Sequence, residues 1–307
     1  MHHNRCGYGE ICYEKKLFAA ACCCLTVAVL GSVAALAGCG LGSGSDMTDD
    51  DCAALQEAVS AAKAYEGSFT LVEKLDVDYS EIYEDSDETE KESSTEKDVT
   101  TYSFNEADNS YVVLDDYSYY YKYECGDDTE EDTELSVSKD YYTNGYRYSY
   151  SKDDNNAPTT SVAEYTLKTR KLYSCMEIYL DDYGSTVEEV REYFLGDEDE
   201  EESEDYSYSA DVSLKVKGST YTIKYNVSYA YDTKYGSEDV TYNRTYSYTV
   251  KNGYITAYTV ITSEEDTEVY KNDTYTGSVT YEYSGTISYA YDSTLMPSAA
   301  VLATYGA

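Results

Sequence analysis

The side chains able to do covalent or acid–base chemistry are 9 Cys, 2 His and 60 carboxylates in a chain of 307 residues. Both histidines, His2 and His3, lie at the extreme N-terminus. From residue 4 onward no Ser-His-Asp triad, Cys-His dyad or His-ligated zinc or iron site can be assembled. A Ser or Thr nucleophile would need a Lys base, and neither a GxSxG elbow nor an SxxK motif with supporting partners is present. The phosphate-cradling GxxxxGK[ST] and GxGxxG patterns are absent as well. Paired carboxylates can hydrolyse glycosides, but among so many acids no motif singles out a pair. The chain therefore reads as non-enzymatic, with no catalytic residue assigned.

The acids cluster in runs, Asp127 to Glu134, Asp197 to Asp205 and Glu264 to Glu268. They read as solvated loops that repel one another and keep the protein soluble. Weak Ca²⁺ binding through carboxylates is the functional alternative for these acidic loops. Asp85-Ser86-Asp87 begins like an EF-hand loop but lacks the glycine at the turn. No metal ligands and no cofactor are assigned. The net charge of −38 argues against nucleic acid, whose phosphates need Lys and Arg to displace their counterions.

The N-terminus has a basic stretch ending at Lys15-Lys16 and an apolar run from Leu17 to Ala37, closing on Leu36-Ala37-Gly38-Cys39. This tetrapeptide resembles the lipobox of bacterial lipoproteins. The resemblance implies that Cys39 carries a diacylglycerol, with its acyl chains, on its sulfur. Leu36, Ala37 and Gly38 would be the signal-peptidase recognition residues, and cleavage would fall before Cys39. Residues 1–38 are then a signal peptide, and 39–47 the lipidated Cys with a flexible Gly/Ser tether. The expected location is the cell membrane, lipid-anchored and facing the extracytoplasmic side. The other reading of the apolar run is an uncleaved membrane helix, which leaves the body of the chain on the same side. Cleavage removes three basic residues (Arg5, Lys15, Lys16) and two acidic ones (Glu10, Glu14), so the remainder is no less acidic.

Beyond Cys39 the cysteines are Cys52, Cys125 and Cys175. Their spacing does not choose a disulfide pair, and three buried or half-buried free thiols are an equal reading. No CxxC occurs among them.

These groups need elements to hold them. Thr48 to Asp51 supply a cap and a negative first turn, and Cys52, Leu55, Val59 and Ala62 form one apolar stripe, so a helix is expected that stops near Gly67. From Ser68 the period becomes two, with Phe69, Leu71, Leu75, Val77 and Tyr79 alternating apart from Val72 and the polar Glu73. A mixed-charge loop is expected over Asp85 to Asp98. Turns are expected at Asp108-Asn109, Asn144-Gly145, Lys217-Gly218 and Asn252-Gly253. From Asp211 to Tyr291 long alternating strands form an antiparallel meander, one face apolar and one wet. A second helix is expected after a capping box, either Ser185 with Glu188 or Thr186 with Glu189, with Val187, Val190 and Phe194 on one face and Gly196 as its end. Residues 161–182 are ambiguous between helix and strand.

Tyrosine numbers 41, against 4 Phe and no Trp. Tyr favours strands, covers a large apolar area and keeps a hydroxyl for water or a partner. It is the main packing aromatic here. Runs such as Tyr119-Tyr120-Tyr121 put it on both faces, which leaves room for a contact surface like a Tyr-rich paratope.

A helix after a lipobox tether, long alternating strands, a helix-bearing interruption and a closing meander are similar in order to the LolA/LppX-like lipoprotein superfamily. The resemblance rests on that order, on Tyr142-Thr143-Asn144-Gly145-Tyr146 and on Asn252-Gly253-Tyr254-Ile255, and covers roughly 48–292. It implies an α+β, β-dominated fold: a long-stranded, curved antiparallel sheet, half-barrel-like, with one N-terminal helix and one or two helices packed on one face. It also implies an apolar cavity and no catalytic residues. Residues 48–292 are expected to form a single antiparallel-sheet domain and 293–307 a C-terminal tail. The expected function is non-catalytic binding of a lipid or other hydrophobic ligand by a membrane-anchored lipoprotein. The alternative is an interaction or adhesion module that binds protein or glycan through an exposed Tyr-rich face. The expected partners are thus the membrane, through the lipid anchor, and a hydrophobic ligand or a surface protein or glycan. No ligand-binding residue is singled out.

Overall fold

A computed structural model describes residues 44–85, 88–154, 156–177, 180–196, 206–271 and 273–306. The expected lipobox residues Leu36, Ala37, Gly38 and Cys39 lie outside the described residues, as does the whole acidic run from 197 to 205.

Strand β1 (Ser45–Asp46) and helix α1 (Asp49–Ala64) come first. Six strands follow: β2 (Phe69–Glu84), β3 (Thr89–Asn105), β4 (Ser110–Cys125), β5 (Asp128–Thr143), β6 (Tyr146–Asp153) and β7 (Thr159–Glu164). A 3₁₀ turn (Leu172–Cys175) and helix α2 (Val187–Leu195) interrupt the strands. The second run is β8 (Tyr206–Lys217), β9 (Thr220–Thr233), β10 (Gly236–Lys251), β11 (Tyr254–Tyr270) and β12 (Asp273–Ser288). The short helix α3 (Ala299–Leu302) closes the described chain.

All the described strands join one open, antiparallel sheet, 12 strands in the order β1-β8-β9-β10-β11-β12-β2-β3-β4-β5-β6-β7. Each run is a meander. The two runs meet where β12 lies beside β2, from Thr274 opposite Glu84 to Ser288 opposite Thr70. The expected turns at Asn144-Gly145 and Asn252-Gly253 have positive φ at both central residues (53° and 81°, 53° and 77°), the geometry of two-residue hairpins whose twist matches their strands.

The strands outreach the helices. β2, β4, β5, β10 and β12 each have 16 residues, a span of about 54 Å. Helix α1, also of 16 residues, covers only about 24 Å. The core therefore sits at one end of the sheet, the basal end. There Cys52, Leu55, Ala58, Val59 and Ala62 of α1 pack with Phe69, Leu71, Ile223, Tyr248, Ile255 and Tyr258, all buried. The 3₁₀ turn adds Leu172 and Cys175, and α2 adds Val190. At the far, distal end of the same face no described helix covers the strands.

Capping decides the helices. Thr48 and Asp51 form a reciprocal box at the start of α1, and Thr186 and Glu189 form the second at α2. Asp49 Oδ1 also accepts from the Val187 N–H at 2.9 Å, tying the two helix starts together. Gly196, with φ of 66°, ends α2 as expected. Gly67 does not end α1. The helix stops at Ala64 because Tyr65 turns extended and its hydroxyl donates to the Ser68 carbonyl at 3.0 Å.

Three expectations are corrected. Of the expected loop Asp85 to Asp98, Thr89 to Asp98 is strand: β2 runs to Glu84 and β3 begins at Thr89. Most of Asp127 to Glu134 and all of Glu264 to Glu268 are strand. In each case the ladder to a neighbour rich in Tyr or Thr satisfies the backbone, while the carboxylates project sideways into water or onto rings. The last three residues of the expected 39–47 tether belong to the fold instead: Ser45 and Asp46 pair with β8, and Met47 is buried, its N–H donating to the Leu214 carbonyl at 3.2 Å. The ambiguous stretch resolves into the end of β7, irregular chain and the 3₁₀ turn. Residues after 293 pack against the opposite side of the sheet, where Leu302 meets Val112 and Tyr141.

Candidate functional site

Alternation and register sort the side chains onto two unlike faces. Across the distal half of the helix-bearing face one row reads Tyr229, Val240, Asp266, Gly277, Glu81, Glu92, Tyr123. The row beside it, toward the base, reads Tyr242, Glu264, Val279, Tyr79, Ser94, Tyr121. The opposite face carries Ser, Thr and the lysines Lys74, Lys91, Lys97, Lys122, Lys139 and Lys224. Among the described strand residues, Arg244 and Arg147 are the cations on the helix-bearing face. Arg147 is engaged by Asp140 at 2.7 Å, and Arg244 lies 4.9 Å from the Tyr246 ring centre.

The carboxylates of this face therefore meet one another. Glu81 stands directly opposite Glu92, and Glu238 directly opposite Glu268. Like charges so placed destabilise a sheet. Burial and then Glu81 push Glu92 up; burial pushes Glu96 up. Burial, followed by Glu268, Glu238 and Glu264, pushes Asp266 up to about 6. The Tyr79 hydroxyl donates to Glu81. Tyr275 bends over Gly277, and burial together with Glu81, Asp266, Glu268 and Glu264 raises its phenol. Tyr281, nearer the middle of the sheet, is 40% exposed.

Where the face passes under the helices, Glu73 is buried, 4% exposed. The Tyr258 hydroxyl donates to it, and the Glu177 N–H donates to both its oxygens at 3.1 Å. Burial pushes Glu73 up to about 7, against the pull of those hydrogen bonds. Its neighbour along the sheet, Asp98, is raised by burial and by Asp115, while Thr100 Oγ1 donates to Asp115 at 3.2 Å. Glu73 lies beneath Tyr258 and the 177 segment, out of reach of a substrate, so its shift is structural.

The three cysteines are brought to different places and stay free. Cys52 is buried in α1, its thiol pushed up to about 11 by burial. Cys175 lies 3.3 Å from the Tyr111 hydroxyl, and Cys125 donates to Glu88 at 2.9 Å. Among the described residues two groups bring candidate cation ligands within 4.8 Å of one another: Glu88, Glu90 and Cys125, and Glu238, Asp266 and Glu268. Neither is the contiguous acidic loop expected from sequence; both are built across strands. The Tyr and carboxylate face was missed, although its signal was present. In β3, Glu90, Glu92, Glu96 and Asp98 share one parity, Lys91 and Lys97 the other.

No family model and no curated protein matches this chain. Among solved structures it is similar to the translocator domain of autotransporter NalP from Neisseria meningitidis, at 7% identity and a TM-score of 0.22, over 75% of this chain and 92% of that one. A structure titled "Unveiling the Mechanism Behind the in-meso Crystallization of Membrane Proteins" aligns at 7% identity and a TM-score of 0.08, over 70% of this chain and 83% of that one. At such scores neither likeness carries an argument. Among the described residues no helix is long and apolar enough to cross a membrane.

Proposed function

We propose that this chain is a membrane-anchored, extracytoplasmic binding protein that makes its contacts through the uncovered, Tyr-rich half of its helix-bearing face. One observation carries the reading. The apolar basal half is filled by the chain's own α1, 3₁₀ turn and α2, while the distal half presents Tyr and carboxylates with no described helix over them. A hydrophobic carrier needs apolar side chains that its own core does not fill. The helix-on-sheet order is compatible with a LolA/LppX-like architecture, but the helices lie where that family's cavity would open. The role is binding of protein or glycan, without catalysis.

The chain enters the sheet at Ser45 beside Val216, at the basal end. With lipid on Cys39, the residues between can span only about 20 Å. The distal face then stands away from the bilayer, and the acidic surface favours that pose near anionic lipids.

Native mass spectrometry with solvent extraction of the purified chain tests this reading. The expected result is no co-purified lipid beyond the covalent anchor, together with binding on a surface-protein and glycan array that Tyr275→Leu weakens. One non-covalent lipid per chain, lost on unfolding, would overturn it in favour of the carrier.

A further inference from the structure

We propose that the distal half of the helix-bearing face docks an extended Lys- and Arg-rich polypeptide segment, with Tyr275 at the centre of the contact. This names the partner of the face-binding reading above and rests on it.

Charge complementarity selects the partner. Two cross-strand pairs of like charge, Glu81 with Glu92 and Glu238 with Glu268, stand on a face whose distal half carries no strand lysine. The lysines of the same strands project to the other side, where Lys97 pairs with Asp76 at 2.8 Å and Lys122 with Glu124 at 2.6 Å. The sequence thus supplies lysines to these strands but places them on the other side, while Arg244, on this face, sits toward the base over the Tyr246 ring.

The centre of the face has the shape a cation needs. Gly277 separates Asp266 on β11 from Glu81 on β2, leaving no side chain of its own between them. The Tyr275 hydroxyl lies over Gly277, 2.7 Å from where a Cβ would stand. An ammonium or guanidinium placed there would have a tyrosine beneath it and a carboxylate on either side, combining cation–π attraction with charge-assisted hydrogen bonds. Beyond this centre the row continues through Val240 to Tyr229 on one side and through Glu92 to Tyr123 on the other, so a ring stands at each end. From β9 to β4 the row crosses seven strands, about 29 Å. A small diamine or a single metal ion would cover only one carboxylate group of it; an extended basic peptide spans the whole.

The test must separate this face from the general field of a chain with net charge −38. The full chain, purified in detergent, is titrated with fluorescent deca-lysine and deca-arginine at physiological salt. Two double variants remove the same charge from opposite faces of the same region: Glu81→Gln with Asp266→Asn, and Asp239→Asn with Glu265→Gln. The first pair is expected to weaken binding by roughly ten-fold and Tyr275→Leu by about five-fold, the second pair by less than about two-fold. Thermal melts accompany each variant. Removing like charges is expected to leave the first pair folded and no less stable than the parent. Equal losses from both pairs, or no binding at physiological salt, would overturn the proposal. If peptides fail to bind while a neutral glycan or non-basic protein binds and is lost in Tyr275→Leu, the cationic partner is wrong and the face-binding reading stands. If Tyr275→Leu changes no binding of any kind, both fail.

Discussion

The Tyr258 hydroxyl reaches the buried carboxylate of Glu73 by laying its ring across Gly285. These three residues stand side by side on β11, β2 and β12, in direct register. A Cβ on Gly285 would meet the Tyr258 ring at 2.1 Å. The glycine is needed there for space. Gly285→Ala is expected to displace the ring, strand Glu73 without its donor and destabilise the protein by about 2–4 kcal/mol. Thermal and urea melts check this. A change below about 0.5 kcal/mol would mean that the ring moves aside freely and the contact contributes little.

Glu73 also gives stability a pH dependence with a definite sign. Its folded pKa, about 7, lies above the ordinary 4.5. The stability it contributes is fully present below about pH 4.5 and is lost as pH rises through 7. That gap corresponds to on the order of 3 kcal/mol. Asp266, raised to about 6, and Asp98 act in the same direction. The melting temperature is therefore expected to be higher at pH 5 than at pH 8. Glu73→Gln, which stays neutral at both, is expected to narrow that difference. A melting temperature that climbs from pH 5 to pH 8 would contradict the assignment.

Much of the local structure was legible because it is encoded locally. The stripe from Cys52 to Ala62, the Thr186–Glu189 box and the two Asn-Gly turns each lie within a dozen residues, where period, cap and backbone preference agree. The acidic strands were misread because charge runs were weighed above alternation. In β5 the Thr129 and Thr133 spacing and the Tyr-rich β4 beside it hold the segment extended. The site is harder still. Glu73 showed only as a polar break among Leu71, Val72 and Leu75, while its partners Gly285 and Tyr258 are some two hundred residues away. Nothing local in the sequence joins β12 to β2, the pairing that brings them together.

The thiols offer a direct check on packing. Cys52 and Cys175 are buried and Cys125 is half-buried at the distal end. Glu88, which accepts the Cys125 proton, pushes that thiol above its ordinary pKa. Maleimide treatment of the native chain, followed by peptide mapping, is expected to label Cys125 slowly at pH 7 and faster above pH 9. Cys52 and Cys175 are expected to react only after unfolding. Equal labelling of Cys52 and Cys125 would mean that α1 is not seated on the sheet.

The distal half of the sheet has a built-in cost that a single charge reversal should relieve. Glu81 and Glu92 face each other across β2 and β3 with no helix above to justify their placement by packing. Glu92→Lys would convert the repulsive pair into an attractive one and is expected to stabilise the chain by about 0.5–1 kcal/mol, an effect that salt reduces. Because β2 and β3 hold the centre of the sheet, the gain should appear as slower amide exchange at the distal ends of both strands, with basal amides such as those of Leu71 and Tyr102 unchanged. If the variant is less stable than the parent at low salt, the two carboxylates are not repelling each other, and the charge segregation between the two faces needs another cause.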